Sequence, residues 1–173
     1  WATLAIAEQT VNVAEELEVN PPQAIQAPAG LAVSVVIPVY NEEAVLPALL
    51  AELSRIFAAE SRDRHGLAQV NCLFVDDGSS DSTVAILRDA PASGLGVTVV
   101  RFSRNFGHQA AVSAGIANSS ADLVAVIDAD LQDPPVCILE MLEKWRSGFE
   151  VVYAQRRNRK EGLAKRFLYA AFY

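Results

Sequence analysis

The chain contains few cysteines and histidines and no long apolar run. Its two cysteines, Cys72 and Cys137, lie in apolar contexts and lack the spacing of zinc ligands. We therefore expect two buried thiols, as in proteins of a reducing compartment, and no disulfide. No stretch of about 20 apolar residues occurs, so these residues are not predicted to span a membrane. A signal peptide of the usual form is also missing.

Several signatures of nucleotide and nucleic-acid binding are missing as well. The chain has neither a GxxxxGKS/T phosphate-binding loop nor a GxGxxG dinucleotide fingerprint. Its net charge of −7 is unevenly distributed: residues 1–149 carry 8 basic and 19 acidic side chains, whereas residues 150–173 carry 6 basic and 2 acidic ones. The acidic body argues against nucleic acid as a partner. The basic end needs a separate explanation.

The length of 173 residues suits one globular domain with a sizeable core. Residues 1–30, rich in alanine, glutamate and proline, are predicted to form a flexible N-terminal arm, with at most a weak helix over residues 4–19. Residues 31–173 are predicted to form the domain. Because the chain begins with Trp1 and ends inside a patterned segment, we expect a fragment of a longer protein, incomplete at the C-terminus.

Short apolar runs alternate with helical patterns from residue 33 onward. Strands are predicted at residues 33–37, in the apolar run before Asp76, and at residues 97–102, 123–127 and 150–154. Helices are predicted at residues 45–57, 81–88 and 135–146, and in the small-residue segment after His108. Alternating strands and helices predict an α/β fold with a mostly parallel sheet and right-handed crossovers.

Polar side chains follow the strands at the points where they end. In a parallel sheet these ends meet at one edge, where ligands bind. The edge is predicted to collect Asn41, Asp76, Asp77, Asn105, Asp128 and Asp130. Each of these residues alone could instead be a helix cap or a turn residue, and their convergence favours a functional site.

The segment ADLVAVIDADLQDPP, residues 121–135, provides the strongest local signal. Asp128 and Asp130 lie one residue apart at the end of an apolar strand, so their side chains are predicted to share one side. Such carboxylates suit a hard divalent cation that shares its ligands with a phosphate, and Gln132 offers a further oxygen. The start of the helix near His108 also favours phosphate, and Arg104 could add charge. His108 itself and His65 are more simply explained as polar surface residues.

Four motifs together resemble a known family. IPVYNEE, VDDGSSDST, SRNFGHQAA and DADLQDPP, in this order, are similar to family 2 glycosyltransferases with the GT-A fold, a Rossmann-like fold. The resemblance covers about residues 33–173 and is closest to the dolichol-phosphate mannosyltransferase and bacterial polyprenyl-phosphate glycosyltransferase branch. It implies an inverting transfer of a sugar from a nucleotide-sugar, UDP-hexose or GDP-mannose, to a polyprenyl or dolichyl phosphate. The reaction would use Mg²⁺ or Mn²⁺ at the cytoplasmic face of the membrane.

The resemblance also implies roles for individual residues. The metal ligands would be Asp128, Asp130 and Gln132, and Asp130 would be catalytic. The catalytic base of the family, usually an Asp, lies in a later segment that has no match here. The nucleotide-sugar would be bound by Pro38, Tyr40, Asn41, Glu42, Asp76, Asp77, Asn105, Asp128, Ala129 and Asp130.

The basic end is similar to the segment that follows the fifth strand in the polyprenyl-phosphate branch. The acceptor phosphate or anionic lipid headgroups would be bound by Arg156, Arg157, Arg159 and Lys160. Residues 163–172 could form an interfacial helix at the membrane surface. The alternative is a solvated basic helix with an ordinary core face.

Other functions remain open at this point. One is a family 2 enzyme that acts on a saccharide or protein acceptor, although the QxxRW signature of polysaccharide synthases is missing. Another is a non-catalytic fragment that binds a nucleotide-sugar. A phospho-acceptor receiver domain ranks last, because it does not account for DADLQDPP. The sequence also leaves the oligomeric state open, including a homo-oligomer.

Overall fold

A computed structural model describes residues 2–5, 24–25, 30–90 and 95–154 of the chain. The strands are β1 (Ala2–Ala5), β2 (Leu31–Val39), β3 (Leu67–Asp76), β4 (Gly96–Arg101), β5 (Leu123–Val126) and β6 (Val151–Tyr153). The helices are α1 (Leu46–Ile56), α2 (Ala59–Arg64), α3 (Thr83–Arg88), α4 (His108–Ala117) and α5 (Cys137–Arg146). Apart from β1 and the short helix α2, each of these elements overlaps one that the sequence predicts.

The strands form one sheet in the order β4-β3-β2-β5-β1-β6, and every adjacent pair is parallel. Val35 of β2 lies in register with Cys72 of β3 on one side and Ala125 of β5 on the other. The inner strands are buried almost continuously, because helices cover both faces of such a sheet. The predicted α/β fold with a mostly parallel sheet is therefore confirmed.

Each face of the sheet has its own apolar core. The larger core packs β2 and β3 against α1 and α5, with residues such as Leu49, Phe74 and Trp145. The smaller core includes Val36 and Leu73 and is covered by α4. These two cores hold the carboxyl ends of the central strands at one rigid edge.

Helix α4 approaches the sheet closely because it is built from small residues. A Cβ atom added at Gly115 would lie 2.2 Å from Cγ1 of Val36, a distance that real contacts do not show. Gly115 is therefore required by packing rather than by backbone conformation, and it brings the start of α4 toward the strand ends.

The N-terminal residues differ from the prediction of a separate arm. Ala2–Ala5 form β1, which pairs with β5 on one side and with β6 on the other. This strand has no alternating pattern long enough to identify it, and its place in the sheet depends on two partners distant in the sequence. The remainder of the predicted arm and most of the weak helix over residues 4–19 lie outside the described residues.

The cysteines differ from each other in burial. Both thiols are free: Cys72 is buried in β3, whereas Cys137, at the start of α5, is partly exposed. The prediction of two buried thiols is therefore correct for Cys72 and wrong for Cys137, because the first turn of α5 leaves one side open. None of the helices within the described ranges is both long and apolar enough to cross a bilayer.

Candidate functional site

A hollow of about 360 Å³ opens at the carboxyl ends of β2, β3 and β5, beside the start of α4. Most of the residues predicted to bind a nucleotide-sugar line it, namely Pro38, Tyr40, Glu42, Asp77, Asn105, Asp128, Ala129 and Asp130. Val39, Gly107, His108 and Ala111 complete the wall. The structure thus brings four separate segments of the chain together around one cavity.

Asn41 does not line the hollow, although the sequence predicts that it binds the donor. Its backbone N–H donates to Ser79 Oγ at 2.9 Å, and its Oδ1 accepts from the backbone N–H of Ser80 at 2.9 Å. The next residue, Glu42, donates its backbone N–H to Thr83 Oγ1 at 2.8 Å. Asn41 also has a φ of 56°, a conformation that asparagine tolerates better than most residues. It therefore connects two loops instead of contacting the cavity.

The same two loops exchange further hydrogen bonds. The backbone N–H of Glu43 donates to Asp81 Oδ2 at 3.2 Å, and Glu43 Oε2 accepts from the backbone N–H of Ser82 at 2.9 Å. Asp81 Oδ1 also accepts from the backbone N–H of Thr83 at 3.0 Å, in the first turn of α3. The loops after β2 and β3 therefore behave as one unit, which holds Tyr40 at the rim of the hollow.

Asp76 is also held away from the cavity. Its side chain is 0% exposed and does not line the hollow. Oδ1 accepts from the backbone N–H of Ser79 at 3.0 Å, and Oδ2 lies 3.2 Å from Nε of Arg101. The geometry of that second contact is an ion pair rather than a hydrogen bond. The side chain of Asp76 thus contacts its own loop and β4, and its predicted place in the base pocket stays a prediction.

Asp77 lines the hollow, but both of its carboxylate oxygens are engaged within the protein. Oδ1 accepts from the backbone N–H of Phe106 at 2.7 Å, and Oδ2 accepts from that of Gly107 at 2.9 Å. The side chain is 4% exposed. Asp77 therefore holds the two backbone amides that come directly before α4, and it supplies negative charge there.

The turn after Asp77 requires glycine. Gly78 has a φ of 79°, and a Cβ added there would lie 2.6 Å from the carbonyl carbon of Arg104 and 2.9 Å from the backbone nitrogen of Asn105. Both the left-handed backbone and the close approach exclude a side chain. This contact and the Asp77 hydrogen bonds together fix the loop after β4 against the end of β3.

Carboxylates are prominent in the wall of the hollow. Asp128, Asp130 and Glu42 all contribute to its wall. Partial burial raises the pKa of Glu42, and the nearby charges of Asp130 and Asp81 raise it further. The carboxylates that line the hollow give it negative charge, which favours a cation there.

His108 was not predicted as a site residue, yet it lines the hollow. Its Nε2 lies 3.8 Å from Oδ1 of Asp128, and its side chain is about half exposed. Its place in the first turn of α4, directly after the Gly107 turn, was visible in the sequence. The approach of that turn to the end of β5 depends on how α4 crosses the sheet, so the sequence alone did not reveal it.

Two of the predicted metal ligands, Asp128 and Asp130, could bind a cation that takes its remaining ligands from outside the protein. Asp130 Oδ1 accepts from the backbone N–H of Gln132 at 2.9 Å, within a turn in which Leu131 has a φ of 58°. Asp128 and Asp130 line the hollow, whereas Gln132 does not. No group of three or more His, Cys, Asp or Glu side chains in the described part of the chain has the geometry of a metal cage. Two carboxylates suit Mg²⁺ or Mn²⁺ that takes its other ligands from phosphate and water.

The basic acceptor residues could not be compared with the structure. Arg156, Arg157, Arg159 and Lys160, and the predicted interfacial helix at residues 163–172, lie outside the described residues. Their roles remain predictions from the sequence.

Curated proteins of known sequence resemble this chain closely. It is 45% identical over 141 residues to the uncharacterized glycosyltransferase YkcC of Bacillus subtilis (strain 168), covering 81% of this chain and 42% of that protein. It is 46% identical over 131 residues to the undecaprenyl-phosphate 4-deoxy-4-formamido-L-arabinose transferase of Aeromonas hydrophila subsp. hydrophila, covering 75% of this chain and 38% of that protein. The chain thus spans about two fifths of the length of these relatives.

A solved structure shares the fold. The mannosyltransferase PcManGT from Pyrobaculum calidifontis, in complex with GDP-Man and Mn²⁺, superposes with a TM-score of 0.50 at 21% identity, covering 70% of this chain and 37% of that one. This similarity supports the GT-A fold that the motifs predicted. The family model described as glycosyl transferase family 2 matches residues 34–171, which is most of the chain. Together with the relatives, this match shows that the chain belongs to glycosyl transferase family 2.

Proposed function

We propose that the complete protein transfers a sugar from a nucleotide-sugar, a UDP-hexose or GDP-mannose, to a polyprenyl phosphate with the help of Mg²⁺ or Mn²⁺. The observation that carries this proposal is the shared hollow, which is lined by Asp128 and Asp130 from the end of β5 and by Tyr40 and Glu42 from the end of β2. The relative named undecaprenyl-phosphate 4-deoxy-4-formamido-L-arabinose transferase supports the acceptor class. The lipid of the acceptor restricts the reaction to a membrane surface, and we assign it to the cytoplasmic face.

The charge of the hollow explains why a cation is needed. A nucleotide-sugar brings a diphosphate, which is repelled by the ionised carboxylates of Asp128 and Asp130. A divalent cation bound between them would neutralise both partners and stabilise the nucleoside diphosphate as it leaves. Asp128 and Asp130 would bind the cation and so orient the diphosphate. Pro38 and Tyr40, at the end of β2, would flank the nucleoside.

In the proposed reaction the acceptor phosphate displaces the nucleoside diphosphate directly. One phosphate oxygen of the polyprenyl phosphate forms a bond to the anomeric carbon while the bond from that carbon to the donor diphosphate breaks. Because attack and departure occur on opposite faces, the anomeric centre is inverted. The acceptor is already an anion at neutral pH, so the reaction depends on positioning more than on proton removal.

The metal hypothesis can be tested with one isosteric substitution. In the full-length protein, Asp130→Asn keeps the shape of the side chain and removes its charge. We expect the donor to bind wild type much more tightly with Mn²⁺ or Mg²⁺ than without, and we expect the variant to lose most of this dependence. Asp89→Asn, an exposed residue at the end of α3, is the matched control. Calorimetric titration with UDP- and GDP-sugars, with and without the metal, measures donor affinity for wild type and both variants. Equal metal dependence in Asp130→Asn and wild type would refute the role of Asp130.

The acceptor class requires a separate measurement. The full-length enzyme is incubated with a panel of nucleotide-sugars and with undecaprenyl phosphate, and the lipid products are identified by mass spectrometry. We expect a glycosyl phosphate lipid from at least one donor. Transfer to a saccharide or protein, with no lipid product, would contradict the proposed acceptor while leaving the donor site intact. Donor binding without any transfer would instead identify a non-catalytic module.

A further inference from the structure

His108 is a polar residue of the hollow to which the proposed reaction assigns no role. It is the first residue of α4, and its side chain lines the hollow and is 54% exposed. Its Nε2 lies 3.8 Å from Oδ1 of Asp128, which is too far for a hydrogen bond. The imidazole therefore lies beside a predicted metal ligand without being hydrogen-bonded to it.

The backbone of Gly107 fixes the point from which His108 extends. The N–H of Gly107 donates to Asp77 Oδ2 at 2.9 Å. Its carbonyl accepts from the N–H groups of Ala110 and Ala111 at 3.0 and 3.2 Å. Gly107 also has a φ of 96° and a ψ of 157°, a conformation that essentially only glycine adopts. The chain therefore enters α4 along one defined path, and the Cα atom of His108 is held at the wall of the hollow.

One face of α4 borders the hollow. His108 and Ala111 are three residues apart, so they lie on the same side of the helix, and both line the cavity. Ala111 contributes only a methyl group, which leaves the space beside the imidazole to a ligand. Of the α4 residues that line the hollow, His108 is thus the one with a polar side chain.

Side-chain N–H donors are scarce in the wall of the hollow. Within the described part of the chain the lining includes no lysine or arginine, and the side-chain nitrogens belong to Asn105 and His108. Asn105 follows β4, which is separated from β5 by two strands of the sheet. The contact with Asp128, in contrast, places His108 at the end of β5. A diphosphate bound near Asp128 would therefore meet His108 as its side-chain N–H donor.

The 3.8 Å gap leaves room for a phosphate oxygen to contact His108. A hydrogen bond from an imidazole N–H to a phosphate spans about 2.8 Å, so an oxygen beside the line from Nε2 to Asp128 can accept it. The cation would keep that oxygen and the Asp128 carboxylate close together in spite of their like charge.

We propose that His108 donates a hydrogen bond to the sugar-bearing phosphate of the donor and stabilises this phosphate as it leaves. The inference rests on the proposed function and adds a residue to its donor site. The nucleoside is assigned to the end of β2 and the cation to the end of β5, so the phosphate farther from the nucleoside lies nearer His108. When the bond from the anomeric carbon to that phosphate breaks, its electron pair stays on the phosphate oxygen. The N–H of His108 donates to the phosphate without transferring its proton.

The experiment compares nucleotides that differ by one phosphate, in the full-length protein. His108→Ala removes the ring, and His108→Gln keeps an N–H donor on a side chain of similar length. The matched control is Gln109→Ala, at the neighbouring exposed position of α4, which does not line the hollow. Calorimetry measures the Kd of UDP and of UMP, or of GDP and GMP if the donor is a GDP-sugar, with and without Mn²⁺. Steady-state kinetics gives kcat, and electron paramagnetic resonance measures Mn²⁺ binding without nucleotide.

Each variant has a distinct expected result. His108→Ala weakens UDP binding about tenfold, because a hydrogen bond to a charged group is lost, and it leaves the Kd of UMP unchanged. It also lowers kcat at least about tenfold, because negative charge on the leaving phosphate increases in the transition state. His108→Gln restores most of the UDP affinity. Mn²⁺ binding without nucleotide, thermal stability and all values for Gln109→Ala stay at wild-type levels.

Other outcomes would overturn the inference. Unchanged UDP affinity and kcat in His108→Ala would leave His108 without a role in donor binding. Equal weakening of UDP and UMP would move its contact to the nucleoside or the first phosphate, and weaker Mn²⁺ binding without nucleotide would make it a metal ligand.

The proposed function can fail separately from this inference. If wild type binds the donor but transfers sugar only to another kind of acceptor, the polyprenyl phosphate is refuted, and the comparison of UDP with UMP still decides the role of His108. If wild type binds neither UDP nor GDP, both proposals are refuted.

Discussion

Removing the carboxylate of Asp77 is expected to loosen the loop after β4 before it affects any ligand. The two oxygens accept the backbone N–H groups of Phe106 and Gly107 at 2.7 and 2.9 Å, and the side chain is 4% exposed. In Asp77→Ala both amides lose their partners. In Asp77→Asn only one acceptor oxygen remains, and the new NH₂ group faces an amide that is also a donor.

The size of the effect follows from the type of hydrogen bond. A hydrogen bond to a charged group contributes about 1.5–3 kcal/mol, and water can reach the two amides in part once the carboxylate is gone. We therefore take the lower end of that range and expect Asp77→Ala to lower the free energy of unfolding by about 3 kcal/mol, and Asp77→Asn by about half of that. For a domain of this size, about 3 kcal/mol corresponds to a decrease in Tm of roughly 6–12 °C.

Two measurements test this prediction together. Thermal unfolding of the full-length protein gives the change in Tm, and Asp89→Asn, an exposed residue, should remain within about 0.5 kcal/mol of wild type. Hydrogen exchange followed by mass spectrometry should show faster exchange in the peptide that contains Phe106 and Gly107, with other peptides much less affected. Unchanged stability and exchange, combined with weaker donor binding, would refute the reasoning. Asp77 would then be a nucleotide ligand, as the family resemblance implied.

Three further predictions concern packing, charge and thiol reactivity. Gly115→Ala should destabilise the protein by about 1–3 kcal/mol in thermal unfolding, despite the better helix propensity of alanine, because its Cβ would lie 2.2 Å from Val36. Partial burial and nearby carboxylates raise the pKa of Glu42 above 4.5. The stability that protonated Glu42 contributes is therefore present below that pH and is lost as the pH rises through the raised value. Glu42→Gln should therefore raise the Tm at pH 7, with a difference that disappears below about pH 4; a constant difference contradicts the shift. Burial raises the pKa of the Cys72 thiol to about 12, so iodoacetamide at neutral pH should alkylate the partly exposed Cys137 first, and peptide mapping that finds Cys72 labelled first would contradict the burial.

The positions of the strands and the gathering of polar residues at their ends could be predicted from the sequence. The apolar runs and the helical patterns between them predicted the parallel sheet. The spacing of apolar residues along the chain reflects which side of each strand or helix is buried. The pair Asp128 and Asp130 was recognisable for the same reason, since alternate residues of a strand share one side. Helix α2 was not recognised, because it is short and has no buried residue.

Side-chain direction at the loops could not be read from the sequence. Asn41, Asp76 and Asp77 are residue types that commonly bind ligands. In the structure Asn41 and Asp77 form hydrogen bonds between loops, and Asp76 forms one within its own loop. In the sequence His108 looks like an ordinary polar residue at the start of a helix, and the structure places it on the wall of the hollow. These outcomes depend on which loop lies beside which, and so on the sheet order and the path of α4.

The sequence by itself determined the fold class, the family and the edge of the sheet at which the site lies, because local periodicity and ordered motifs carry that information. Only the tertiary structure decided which polar groups face the cavity and which hold the loops that surround it. The physical reason is that the oxygen of a carboxylate or of a side-chain amide can accept a hydrogen bond from a backbone N–H group or contact a ligand. Its role is therefore determined by its neighbours in space, which residues distant along the chain provide.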